Sequence, residues 1–172
     1  SYSINWGAVV DATTYVLQRS YNGGAWSELQ STLSTSFSEV NLSNGTFIYR
    51  VRACNASGCS DFSSEKTITV LLIPAAPSVL VAPAASSTGS YTVNWGGVAT
   101  ATSYTLERQV NEGGWEVIQD SAAVSKIETL TINANYHYRV NACNDSGCST
   151  FTAINTTVVI LPATIPTNLS IP

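Results

Sequence analysis

The chain has 172 residues and 18.2 kDa, room for one large domain or two modules of about half that length. Charged residues make up 10% and the broad hydrophobic class 44%, so a packed core is expected, while the 43 Ser and Thr favour strands and turns over helices. Seven Lys and Arg against eleven Asp and Glu give net charge −4. That argues against a nucleic-acid partner, because phosphate binding needs a basic face; no apolar run reaches the roughly 20 residues that span a bilayer, so no membrane insertion is expected.

The chain contains no Met and no leader-like segment, and is expected to be a soluble, β-rich piece of something longer. Its opening stretch, SYSINWGAVVDATTYVLQR, recurs 89 positions later as SYTVNWGGVATATSYTLER. The same shift places YRVRACNASGCSDF on YRVNACNDSGCSTF, and residues 1–83 against 90–172 share 35 identities. Two homologous modules follow.

Within each module, short strands alternate with turn residues. Asn22-Gly23-Gly24 supplies hairpin turn chemistry in the first repeat, and Glu112-Gly113-Gly114 in the second. Tyr91, Val93 and Trp95 alternate, as do Tyr104, Leu106 and Arg108, and then Tyr136, Tyr138, Val140 and Ala142, the period of strands with one buried face. No window holds a helical period. About seven short strands in a module of this size predict a two-sheet sandwich.

These residues resemble the fibronectin type III module. The resemblance rests on a second-strand Trp (Trp6, Trp95), a third-strand Tyr (Tyr15, Tyr104), and a Leu six residues before a corner Tyr (Leu130, Tyr136). In the first repeat the corner is Leu42 to Phe47, five apart, and Phe47 has no hydroxyl to bond backbone. The fold class implied is all-β: two tandem immunoglobulin-like (fibronectin type III) β-sandwiches. The Cys-Asn-x-Ser-Gly-Cys turn between the sixth and seventh strands (the FG turn) is similar to modules of large bacterial surface or secreted proteins of the Rhs/YD-repeat kind.

By that analogy residues 1–73 form a module without its first strand (strand A), and residues 74–161 form a complete one. Residues 162–172 correspond to 73–83, so they read as strand A of a third module. A sandwich without an outer strand has an unpaired edge that accepts another. Residues 164–171 of one molecule are therefore expected to fill the vacancy in another, head to tail, or else to form a tail with no partner. The apolar, proline-punctuated joint Leu71 to Pro77 is expected to restrict the hinge between modules.

Four cysteines allow three pairings. Because the repeats are separate folding units, pairing within each motif is expected: Cys54 with Cys59, and Cys143 with Cys148. Counting from inward Val51 and Val140 puts Cys54 and Cys143 on the outer face at the hairpin mouth, with Cα atoms about 5.5 Å apart. Each bridge closes a short loop and adds on the order of 2 kcal/mol. Disulfides imply an oxidising, extracellular or cell-surface location. Zinc is not expected, because the two motifs lie on different modules without histidine helpers.

Little points to catalysis. His137 is the only histidine and alternation turns it outward, so neither a triad nor a multi-histidine metal site can form within the chain. Glu107, Glu112, Glu116 and Asp120 read as a solvated acidic face, without the paired geometry of a glycosidase. No catalytic residue, cofactor or metal is expected. Tyr21, Trp26 and Trp115 are the candidate ligand-binding residues: near the Gly-Gly turns they either pack on the rim or present a platform for a sugar ring. The function expected is a non-catalytic spacer or adhesion fragment whose partners are neighbouring domains of the same polypeptide. The alternative is a glycan- or protein-binding module using these aromatics or the FG turns.

Overall fold

The structure is a computed structural model and describes residues 1–40 and 42–163. Among these residues there are strands and loops and no helix. The chain divides into two compact units, Ser1–Leu72 and Ile73–Pro172.

The first unit contains β1 (Tyr2–Asn5), β2 (Thr14–Tyr21), β3 (Ser27–Thr32), β4 (Ser36–Glu39), β5 (Gly45–Asn55), β6 (Gly58–Cys59) and β7 (Lys66–Val70). Strands β1 and β4 form one sheet; the other has the order β3-β2-β5, with β6 and β7 both paired to β5. Side chains alternate across a strand, so Tyr15 and Leu17 of β2 and Phe47 and Tyr49 of β5 face inward. Leu17, Phe47 and Tyr49 are the buried centre of this core.

The second unit repeats the plan and extends it. Its strands are β8 (Leu80–Val81), β9 (Ala85–Ser86), β10 (Ser90–Trp95), β11 (Ser103–Val110), β12 (Trp115–Ser121), β13 (Ser125–Thr129), β14 (Ala134–Asn144), β15 (Gly147–Cys148) and β16 (Asn155–Val159). One sheet runs β13-β10-β8, the other β12-β11-β14-β16-β9, with β15 on β14. Thus β8 and β9, from one stretch of chain, belong to different sheets. Leu80 lies opposite Trp95 in an antiparallel pair, and after Pro83 the chain crosses to place Ala85 opposite Val158 in a parallel one. Two side chains of β16 secure the crossing: Asn155 Nδ2 donates to the Leu80 carbonyl at 3.2 Å and Thr157 Oγ1 to the Pro83 carbonyl at 2.7 Å.

Among the described residues, the first unit has no counterpart of β8 and β9, and its core is correspondingly less covered. Trp95, Val140, Ala142 and Val159 are buried, whereas the equivalent Trp6, Val51, Ala53 and Val70 are only half-buried. The segment expected to donate a strand, residues 164–171, lies outside the described residues.

Candidate functional site

Strand alternation that turns Val51 and Val140 inward turns Arg50 and Arg139 outward, onto the exposed face of the larger sheet in each unit. Gln18 stands directly opposite Arg50, and Glu107 opposite Arg139. The Gly-Gly hairpins bring Trp26 and Trp115 to one side of these guanidinium groups, and Phe62 and Phe151 arrive on the other. The Arg50 guanidinium carbon lies 3.9 Å from the Trp26 ring centre and 4.1 Å from that of Phe62; for Arg139 the distances are 4.1 Å to Trp115 and 4.3 Å to Phe151. Each cation is thus sandwiched between two rings, a contact worth about 1–2 kcal/mol when partly desolvated. Its edge is held as well. Arg50 Nε and Nη2 donate to Gln18 Oε1 at 3.0 and 2.8 Å, and Arg139 Nε and Nη2 donate to Glu107 Oε2 at 2.7 and 2.6 Å.

This arrangement changes how two groups of sequence candidates are understood. Glu107 is not part of a solvated acidic face; it lies beneath Arg139 with its side chain 16% exposed. Trp26 and Trp115 are half-buried, each with a guanidinium against its ring. Tyr21 does not join Trp26. It is the cross-strand partner of Phe47, so it lies on the opposite face of the sheet. There its ring packs against Phe47 with centres 4.9 Å apart, and its hydroxyl donates to the Asn44 carbonyl at 2.8 Å. In the second unit the corner hydroxyl of Tyr136 donates to the Ile132 carbonyl at 3.0 Å, and the residue opposite it is Val110. The hydroxyl missing from Phe47 has therefore moved to the neighbouring strand. Tyr21→Phe is expected to lower the stability of the first unit by about 1 kcal/mol, measurable by denaturant unfolding; the chemically parallel Tyr136→Phe should cost a similar amount in the second.

A second repeated constellation joins the two sheets through the core. The hydroxyls of Tyr2 and Tyr49 are 2.6 Å apart, Tyr49 donates to Glu39 Oε1 at 3.2 Å, and Arg19 Nη1 donates to the same oxygen at 2.9 Å. In the second unit the Tyr91 and Tyr138 hydroxyls are 2.7 Å apart and Arg108 Nη1 donates to Glu128 Oε2 at 2.8 Å. Burial opposes the charge on Arg108, but Glu128 and Glu116 outweigh it and hold the guanidinium above its usual range. Burial also pushes the Tyr49 and Tyr138 phenols far up, reinforced by their tyrosine partners and the adjacent glutamates; Tyr91 is raised by burial too. A folded-state value above the unfolded one means the stabilisation is complete below about pH 10, the ordinary tyrosine value, and drains away as pH climbs beyond it. Alkaline unfolding is the expected outcome, with Tyr49 and Tyr138 ionising only as their units open. A phenolate absorbance titration alongside circular dichroism checks this: ionisation of every tyrosine before loss of structure would contradict it.

At the end of each sandwich, Cys54 is bonded to Cys59 and Cys143 to Cys148. The Cα atoms are 4.0 Å apart, closer than the 5.5 Å expected, and the cysteines are direct cross-strand partners at the mouth of the turn. Gly58 and Gly147 sit at φ of 136° and 130°, where a side chain would be strained. The Asn55 and Asn144 side-chain oxygens accept from the Ser57 and Ser146 amides, at 2.9 and 2.8 Å, and fold the turn upon itself. His137 lies on the outer face, its Nδ1 2.8 Å from Thr156 Oγ1. Among the described residues no three His, Cys, Asp or Glu converge as a metal site.

Neither the inter-sheet clasp nor the Arg sandwich was identified from sequence. Their signal was present: Tyr2/Tyr91, Arg19/Arg108, Glu39/Glu128, Tyr49/Tyr138, Trp26/Trp115, Arg50/Arg139 and Phe62/Phe151 are all identities between the repeats.

No family model matches the chain, and no curated protein matches it in sequence. Solved structures do. A two-domain fibronectin type III segment from chicken tenascin matches over 91% of this chain and 90% of that one, with TM-score 0.54 and 18% identity. The chicken CNTN1 FN1–FN3 domains match with TM-score 0.47 and 17% identity over 91% of this chain; the chain spans 61% of that segment. The fold is therefore that of two tandem fibronectin type III β-sandwiches.

Proposed function

We propose that this chain is a non-catalytic, extracellular pair of β-sandwich modules that spaces neighbouring domains within a larger surface or secreted protein, with adhesion as an accompanying role. The observation carrying this reading is that the most prominent outward aromatics, Trp26 and Trp115, do the same thing in both units: each stacks on an arginine that is itself fixed to its sheet. A ring stacked on an arginine that is hydrogen-bonded to the neighbouring strand contributes to holding its sheet together, and it does so in both units. The stapled FG turns support the same reading, since both are short, small and internally hydrogen-bonded. Disulfides favour an oxidising compartment.

A second reading, binding to glycan or to a surface protein, is favoured by the half-exposure of both Trp rings, which leaves part of each accessible. Native electrophoresis through gels cast with soluble polysaccharides separates the two. The spacer reading predicts unretarded migration on every glycan. Retardation that Trp26→Ala or Trp115→Ala abolishes in a folded protein would overturn it in favour of carbohydrate binding.

A further inference from the structure

The outward face of the larger sheet carries a different charge in each unit, although strands β2, β3 and β5 and their counterparts β11, β12 and β14 are common to both. In the second unit one cross-strand row is Arg139, Glu107 and Val117, and the next is Asn141, Thr105 and Asp120. In the first unit the same rows read Arg50, Gln18 and Glu28, then Arg52, Val16 and Ser31. The second unit thus sets two carboxylates against one guanidinium on this face, and the first sets one carboxylate against two guanidiniums. The surplus of cations is local, because the chain as a whole has net charge −4.

Both guanidinium groups of the first unit are held in place without being neutralised. Their carbons lie 4.1 Å (Arg50) and 4.8 Å (Arg52) from the centre of the Phe62 ring, so one ring supports both. Gln18 accepts from Arg50 as Glu107 does from Arg139, but it supplies the hydrogen bonds without the charge. Glu28 is exposed on the far side of Gln18, and Asp61, next to Phe62 in the chain, is exposed as well. Among the described residues neither forms an ion pair with an arginine. The Arg52 Nε is buried without an acceptor, which leaves the two Nη groups as the donors that meet solvent. We propose that this face binds an acidic segment of a partner protein, with a side-chain carboxylate bridging Arg52 and Arg50. The second unit shows the chemistry, since the group it sets against its own stacked guanidinium is a carboxylate, Glu107, at 2.7 Å from Arg139 Nε. The planar fork of arginine matches a carboxylate, and cations already stacked on a ring lose little freedom when they bind one. The neighbouring indole of Trp26 has one face taken by Arg50 at 3.9 Å, so the face offers charge more than a ring to stack on, which favours an acidic peptide over a sugar. The proposal adds a partner to the spacer reading and does not rest on it.

The test is fluorescence anisotropy of a labelled decaglutamate peptide titrated with the full chain at low ionic strength. The expected result is saturable binding that added salt weakens, with no binding of a neutral decaglutamine peptide. Arg52→Asn installs the residue of the second unit and should weaken binding about tenfold, the size of one lost charge-assisted contact. Gln18→Glu sets a carboxylate beside Arg50, as the second unit does beside Arg139, and should weaken binding several-fold while keeping the side chain's length and its acceptor. Circular dichroism confirms that each variant folds. No binding of decaglutamate, equal binding of decaglutamine, or an affinity unchanged in either variant would overturn the proposal and leave the spacer reading standing. Tighter binding of oligogalacturonate, lost in Trp26→Ala, would assign the face to an acidic glycan and overturn both.

Discussion

Replacing Arg108 with alanine is expected to destabilise the second unit by about 3–5 kcal/mol, the cost of leaving a buried charge without its partner. Glu128, the partner, has a side chain only 4% exposed, and the other groups near it are the phenols of Tyr91 and Tyr138. Without the guanidinium, the carboxylate must either stay charged in an apolar interior or take up a proton. The second contact of Arg108 matters far less. Glu116 is 67% exposed, and Glu116→Ala should shift stability by no more than about 0.5 kcal/mol, as for other rim ion pairs. Replacing both buried partners together, as Arg108→Met with Glu128→Leu, should recover most of the loss, because the desolvation penalty of the pair disappears with its attraction. Urea unfolding of the three variants separates these effects. Equal losses for Arg108→Ala and Glu116→Ala would contradict the assignment of a buried clasp.

Leu106→Ala is expected to cost a further large amount, about 3–5 kcal/mol, while the equivalent Leu17→Ala should cost about 2–3 kcal/mol. The two leucines are equally buried, at 0% and 1% exposure, so the transfer of each side chain from water contributes the same. The difference lies in the surroundings. Leu106 sits among fully enclosed neighbours, including Val93, Tyr138 and Val140, and its removal leaves a void that nothing can fill. Leu17 sits beside half-buried Trp6, Ile4 and Val51 at the edge of an open groove, where water and side-chain movement soften the loss. Calorimetry of the pair checks both the magnitude and the order; a larger loss from Leu17→Ala would show that the first core is the better packed.

The repeat, the strand period and the turn chemistry were legible because they are local or periodic in the chain. Tyr104, Leu106 and Arg108 alternate in sequence, and this alone places all three on one face. What Arg108 meets there is not local: Glu128 comes from the opposite sheet, and Tyr91 reaches Tyr138 across 47 residues. Such pairs depend on how two sheets stack, which no spacing rule encodes. Of the four acidic residues read as a solvated face, Glu112, Glu116 and Asp120 are exposed, and Glu107 illustrates the same limit, since it is paired with an arginine whose position follows from the β11–β14 register. Tyr21 shows a subtler one. Its role depends on the exchange of a hydroxyl between neighbouring strands, Phe47 having lost what Tyr21 supplies. The sequence pointed to a single first strand in this stretch and not to the crossing from β8 to β9, because two strands of two residues each leave almost no periodic trace.

Equilibrium unfolding of the Trp115→Ala chain tests most directly whether the outward tryptophans belong to the fold. Half-burial of the indole and its stacking on Arg139 predict a loss of about 2 kcal/mol from the second unit, with Trp26→Ala producing a comparable loss in the first. Unchanged stability in both variants would contradict the account, and would mean that the rings are held out for a ligand and not for the sheet beneath them.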